Sequence, residues 1–290
     1  VARQLHITRA AATLNLTQST VSAAIQALEE RHGVRLFERI GRRIILTGEG
    51  RLFLPQATAV LASARSAEQM LDDLSGTTMG ALVIYSSQTI ATQWLPRRLV
   101  AFHDTYPGIA LDLQVGNTGQ CVAAVQDGNC DIAFIEATVH ATSLEQTLVG
   151  ADTLSLVAGA RHPWRNHPPR GFQDLTRSKW VLREAGSGTR ASFETALEAH
   201  NLSLKDLDIF LTLPSNEAIC AAVAETSLAT VVSRAVAEPY LQAGRLIELP
   251  LPLQERPFYM ICNAARHRTS ALQALEKVIV EMARQRSGSA

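Results

Sequence analysis

Between Arg9 and Gly50 the chain carries two short helical patterns, a sharp turn between them and an arginine-rich pair of β segments after them. A segment this compact admits few folds. In Arg9–Leu16, Ala11 and Leu14 share one helical face, and Ala11 is small enough to admit a close second helix. Asn15 stands where the chain must reverse, and asparagine tolerates the left-handed conformation better than most residues. Thr17 is then suited to cap a second helix, whose expected buried stripe is Val21, Ile25 and Leu28. That stripe leaves Gln18, Ser19, Thr20 and Ser22 on the outer face of the first turns, where short polar side chains reach base edges and phosphates. RLFERIGRRIILT alternates as a two-stranded wing bending at Gly41, with Arg39, Arg42 and Arg43 beside the bend as phosphate or minor-groove contacts. The competing reading is an ordinary amphipathic helix pair with a solvated arginine loop.

The distribution of charge favours the first reading. All 290 residues together are neutral, with 27 basic and 27 acidic side chains, yet residues 1–51 hold eight arginines against four glutamates. A basic head on a mildly acidic body suits nucleic acid at one end and sensing at the other. No apolar run is long enough to span a bilayer, and no signal-peptide pattern opens the chain, so a cytoplasmic location is expected. Val1 falls where a helical pattern already runs, so a preceding helix is expected to be missing.

Thr47 is placed to cap a long helix from about Gly48 to Leu74. Phe53, Ala57, Val60, Ala64, Ala67, Leu71 and Leu74 recur at alternating spacings of four and three, the seam of a coiled coil. The alternative is a lone helix packed on its own domain. A two-fold partner is preferred because a two-fold protein reads a two-fold operator. Pro55 should bend this helix near its start, and Ser75–Thr78 with Gly80 reads as a hinge.

From Ala81 onward apolar strands alternate with helices, which predicts a mostly parallel α/β sheet. Two apolar crossovers, TLSLVAGARHPW and LIELPLPLQERPFYM, divide it into two lobes: about 80–155 plus 255–290, and 156–254. Ligands bind such sheets beyond the carboxyl ends of the strands. The polar residues at those junctions are Ser86, Ser87, Gln88 and Thr89, then Asn117 and Thr118, Glu136, the run Arg183–Arg190, and Asn216. In that run Gly186 and Gly188 let backbone approach a ligand, Ser187 and Thr189 offer hydroxyls, and Arg183 or Arg190 can meet an anion. A glycine turn whose serine caps the next helix and whose arginines pair with nearby acids would carry the same sequence.

Other chemistries find little here. The glycines of 186–188 lack a P-loop ending, and no GxGxxG follows the first strand. His162 and His167 bracket a proline-rich turn, no metal ligand set is expected, and no acid/base constellation suggests an enzyme. The four cysteines form no CxxC pair; Cys121 and Cys220 lie near crevice junctions but suit inert packing better than redox sensing. A solute-binding or enzymatic α/β domain with a basic docking module is the alternative class.

AAATLNLTQSTVSAAIQALEERHGVRLFER…LTGEG resembles the head of a LysR-type transcriptional regulator, chiefly in TQxxVSxxIxxLE and LFER, and the likeness continues along the whole chain. It implies a winged helix-turn-helix domain (1–47), a coiled-coil linker and hinge (48–79) and a two-lobed effector domain (80–290) like the type II periplasmic solute-binding proteins. It assigns DNA contact to Gln18, Ser19, Thr20, Ser22, Arg39, Arg42 and Arg43, and implies a dimer through the linker helix and commonly a tetramer. Ala23 and Ala24 depart from the basic or amide side chains often found there. The RExGSGTR segment resembles regulators of carbon fixation and sulfur use. With no cofactor expected, it points to a small anionic effector: a carboxylate, phosphorylated metabolite or sulfur oxyanion.

Overall fold

The computed structural model describes residues 1–287 other than 3, 42, 75–79 and 140. It divides into two compact units, residues 1–65 and 66–290. The expected hinge at Ser75–Thr78 and the wing residue Arg42 lie outside the described residues.

In the first unit, α1 (Ile7–Thr13) is capped by His6, whose Nδ1 accepts from the Arg9 amide at 3.4 Å. Asn15 takes φ 53° at the reversal, and the Thr17 side chain accepts from Thr20 N–H to start α2 (Gln18–His32). Gly33, at φ 64°, ends α2 in a left-handed cap. Three expectations need correction. Ahead of α1 the Gln4 and Leu5 amides donate to the Val1 carbonyl in a turn, where a helical pattern was expected. Leu14 is 61% exposed and Leu28 38%, so the contact between the helices rests on Ala10, Ala11 and Val21. Two small alanines let the backbones approach so closely that the larger side chains project past the contact.

The wing forms as read, with β1 (Phe37–Ile40) antiparallel to β2 (Arg43–Leu46) across a two-residue bend whose Gly41 has φ 63°. Its docking was not visible in the sequence. Glu29 of α2 accepts from the Leu36 and Phe37 amides at 2.7 and 3.0 Å, and Thr47 donates to the Arg35 carbonyl at 2.7 Å. The same Thr47 hydroxyl accepts from Gly50 N–H and begins α3 (Gly48–Leu74). A Cβ on Gly50 would stand 2.1 Å from the Leu36 carbonyl oxygen, so only glycine fits where α3 leaves the wing. Helix α3 continues through Pro55. Of the expected seam, Phe53, Val60 and Leu71 are exposed and Ala57 is half-buried; Leu52 and Leu61 widen the apolar stripe.

The second unit holds a nine-stranded sheet. In the first lobe β3 (Gly80–Ser87) runs parallel to β4 (Ile109–Gly116) and β5 (Ile132–Ile135). In the second, β7 (Lys179–Arg183) runs parallel to β8 (Asp208–Leu213) and β9 (Ala229–Ser233). Between them lie β6 (Leu144–Gly159), the short β10 (Leu246–Glu248) on its far end, and β11 (Glu255–Asn263), all antiparallel to their neighbours. The first half of β6 pairs with β11 and its second half with β9, so one strand belongs to both lobes. The crossover therefore begins well before Thr153, where the apolar run starts. Residues 144–151 mix polar and apolar side chains because this half of the strand is only partly covered. Each lobe has its own core. Phe102, Phe134, Phe258 and Leu275 pack in the first, and Trp180, Phe193 and Leu197 in the second. The helices that matter for the crevice are α4 (Pro96–Thr105), α5 (Thr118–Gln126), α6 (Gly188–Glu198) and α7 (Asn216–Val223); α8 (Arg234–Gln242) and α9 (Ser270–Ser287) complete the layers.

Candidate functional site

Two regions carry the residues singled out in the sequence. In the head, Gln18, Ser19 and Thr20 are exposed on the first turn of α2 and Ser22 is half-buried. The Ser19 and Thr20 hydroxyls each lie 2.8 Å from Thr17 Oγ1, so the cap that starts the helix also gathers its polar groups. In the wing, Arg39 pairs with Ile44 and Ile40 with Arg43. Successive cross-strand pairs face opposite sides of a ribbon, so Arg39 and Arg43, both exposed, project from opposite faces. They form no single patch.

The second region is the crevice between the lobes, at the carboxyl ends of β3, β5 and β7. The structure brings every predicted junction there, and most of the side chains are buried. Asn216, fully buried, is one link between lobes. Its amide N–H donates to Gln88 Oε1 at 2.7 Å, its Nδ2 donates to Thr89 Oγ1 at 3.1 Å, and its Oδ1 accepts from Arg183 Nη1 at 2.8 Å. Asn117 closes a capping box with Gln120 at the start of α5 and reaches across to Glu184 Oε1 at 3.1 Å. The Gly119 amide donates to the Gly186 carbonyl. Ser86 donates to the neighbouring Ser87 carbonyl.

The arginines follow the second of the two sequence readings, pairing with nearby acids. Arg183 holds Glu184 through two bonds of 2.8 and 3.0 Å, and Arg190 pairs with Glu194 at 2.9 Å. Their charge is matched within the protein rather than presented to a ligand. Burial pulls the Glu184 carboxyl up. The bonds and charge of Arg183, a backbone bond and the Asn117 amide outweigh that and hold it below the usual carboxylate range.

A third arginine escapes the sequence reading. Arg256, on β11, is buried and bridges both lobes: Nη1 donates to Glu136 Oε2 at 2.6 Å and to Thr189 Oγ1 at 3.0 Å, and Nη2 donates to Asp152 Oδ2 at 2.6 Å. Ser233 completes Asp152, and Glu136 Oε1 accepts from the Thr89 amide. Burial pushes the Asp152 carboxyl up against the pull of Arg256. The available signal was alternation, since Arg256 shares an inward face with Phe258 and Met260 and so had to be a paired buried charge.

Ser87, Thr118 and Ser187 have side-chain oxygens that are buried and, among the described residues, without a hydrogen-bond partner. Each costs about 1–3 kcal/mol if left so. Ser187 occupies the N-cap position of α6 without capping it. Thr118 Oγ1 lies 2.9 Å from where a Cβ on Gly188 would stand, and Glu136 Oε2 lies 3.1 Å from the same point. The absence of a side chain at Gly188 therefore lets the first turn of α6 press against the opposite lobe. Unpaired hydroxyls beside a helix start are groups able to donate to an oxyanion.

The cysteines carry no competing chemistry. All four are buried, and burial, with nearby carboxylates, pushes Cys121 and Cys220 up to about 12, away from the thiolate that redox sensing needs. His162 is structural. Its Nδ1 accepts from Trp164 N–H, leaving Nε2 to donate to Ser178. Among the described residues no three potential ligands cluster around a metal position, and no helix is long and apolar enough to cross a membrane.

Residues 75–284 match the family model described as the LysR substrate binding domain, and residues 1–51 match that of the bacterial regulatory helix-turn-helix protein, lysR family. The HTH-type transcriptional regulator YeiE of Escherichia coli (strain K12) is 36% identical over 268 residues, covering 92% of this chain and 89% of that protein. The fold is similar to the crystal structure of CbnR, a LysR family transcriptional regulator, with TM-score 0.70 at 18% identity, covering 98% and 96% of the two chains. The regulatory domain of Synechocystis PCC6803 CcmR in complex with 2-PG matches 71% of this chain and 98% of its own, with TM-score 0.64 at 23% identity.

Proposed function

Because the chain belongs to the LysR family of transcriptional regulators, we propose that it binds operator DNA through α2 and the wing under the control of a small oxyanion-bearing effector held in the crevice. The observation that carries the effector reading is that Ser87, Thr118 and Ser187, at the strand-to-helix junctions of the crevice, have buried hydroxyls with no partner among the described residues, those of Thr118 and Ser187 beside Gly188. A carboxylate, phosphorylated metabolite or sulfur oxyanion would satisfy them together with the first amides of α6. The 2-PG carried by the CcmR domain is a ligand of that protein and agrees with this chemical class.

The contacts of Asn216 with Gln88 and Thr89, of Asn117 with Glu184 and of Arg256 with Thr189 join the two lobes, so a ligand there changes the relative stability of lobe arrangements. A regulator uses such a difference to shift its population between states. The exposed stripe of α3 is the surface through which two copies pair, and pairs of dimers then set the spacing of the DNA heads. A protein acting in this way works in the cytoplasm.

DNA fragments selected from the genome by the full chain provide the test. Arg43→Ala should weaken binding and lower the log–log salt slope by about one unit, because one phosphate is no longer neutralised. Thr118→Ala combined with Ser187→Ala should leave that affinity unchanged but abolish its response to small-molecule extract. A double variant that still responds would place the effector elsewhere.

A further inference from the structure

If the crevice is the effector site, its ionic balance sets which form of an oxyanion it takes. Arg183 and Glu184 cancel. Arg256 faces two carboxylates, Glu136 and Asp152, and all three are buried. The crevice wall therefore carries one negative charge more than its arginines match. Glu136 is the carboxylate beside the unpaired hydroxyls of Thr118 and Ser187: its Oε2 and Thr118 Oγ1 both abut the Gly188 position, next to Ser187. Besides the Arg256 Nε–H, whose guanidinium charge the two carboxylates already share, the donors left for a ligand are neutral hydroxyls and backbone amides.

We propose that Glu136 makes the crevice selective for a singly charged, proton-bearing oxyanion over the fully ionised dianion. The proton on such a ligand donates to the Glu136 carboxylate, while its other oxygens accept from Ser87, Thr118 and Ser187. A dianion brings no proton and sets like charges face to face at short range in a buried site, where repulsion is least screened. The other ionisable groups around Glu136 do not alter this sign. Arg256 on β11 is shared with Asp152 on β6, the Cys121 thiol on α5 stays neutral, Arg190 on α6 is paired with Glu194, and the Arg183–Glu184 pair across the crevice is balanced. The upward push on Asp152, which burial causes and Glu136 reinforces, agrees with surplus negative charge at this point.

The test is calorimetric binding of inorganic phosphate and of sulfate to the full chain. Phosphate passes from singly to doubly charged between about pH 6 and about pH 8, while sulfate stays a dianion. Phosphate affinity should fall by about tenfold across that span, and sulfate should bind at least about tenfold more weakly than phosphate at the acid end. Glu136→Gln keeps the shape, the acceptor for the Thr89 amide and a balanced Arg256–Asp152 pair. It should flatten the pH dependence and admit sulfate. Asp152→Asn removes the same surplus charge from the far side of Arg256 and should give a smaller change of the same sign.

Equal, pH-independent binding of both anions by the wild type would overturn the selectivity and leave the crevice reading intact. Failure of Thr118→Ala with Ser187→Ala to weaken phosphate binding would overturn the crevice reading itself. Wild-type selectivity that Glu136→Gln leaves unchanged would remove Glu136 as its cause.

Discussion

The head and linker leave apolar side chains outside, while the effector domain takes polar ones inside. Leu14, Leu28, Phe53, Val60 and Leu61 are exposed along α1, α2 and α3. In the crevice, Ser87, Thr118, Ser187, Asn216, Arg183 and Arg256 are buried. Both departures cost free energy in an isolated chain, and both are the informative kind, since scattered exposed leucines or surface serines would say nothing. The difference lies in what each lacks. An exposed seam lacks another protein surface; a buried hydroxyl lacks a hydrogen-bond partner small enough to enter.

The largest effect should come from removing the charge at the centre of the buried network. Arg256→Met leaves Glu136 and Asp152 facing each other without a cation, and loss of one partner from a buried ion pair costs roughly 3–5 kcal/mol. Denaturant unfolding of the effector domain should show this, while DNA-head helicity stays intact. A loss below about 1 kcal/mol would mean water already reaches the network.

Val60→Asp comes next and acts on the other side of the comparison. Val60 is 69% exposed, so the substitution should barely change the stability of one chain. Placed on a paired seam it should reduce the dimer to monomer in sedimentation velocity. An unchanged sedimentation coefficient would assign the stripe to some other contact.

The smallest effect is one of pH. Glu184 is held below the usual carboxylate range, so its contribution is present above that range and is lost as pH falls through the lowered value. Asp152 works in the opposite sense: its raised value favours the fold at low pH, and that advantage is lost as pH rises through it. The two slopes oppose each other, so each shows clearly only when the other is removed. Glu184→Gln should remove the acid-limb loss, and Asp152→Asn should raise stability at neutral relative to acid pH. Parallel stability profiles for wild type and both variants would contradict these assignments.

Much of the fold was readable because its determinants are local. Asn15 at the reversal, Thr17 and Thr47 as helix caps and Gly41 at the wing bend each play that part within four residues of themselves. The crevice junctions were readable for a related reason, since the carboxyl ends of strands in an α/β sheet must converge. What escaped was the partnering. Arg256 finds Asp152 and Glu136 across 104 and 120 residues of sequence, and Asn216 finds Thr89 across 127. Nothing local marks such pairs; the neighbouring Glu184 let the sequence offer an internal partner for Arg183, while Asn216, 33 residues away, could not be read. Leu14 and Leu28 were misplaced because helical periodicity tells which side chains share a face, and the closeness of the alanine contact decides how far that face is covered.

Native mass spectrometry of the full chain equilibrated with inorganic phosphate reads both halves of the comparison at once. The wild type should fly as an even-numbered oligomer with one phosphate bound per chain. Val60→Asp should give monomers that keep the phosphate, and Thr118→Ala with Ser187→Ala should give the oligomer without it. A monomeric wild type, or phosphate retained by the hydroxyl variant, would contradict the assignment of exposed seam to partner and buried hydroxyls to ligand.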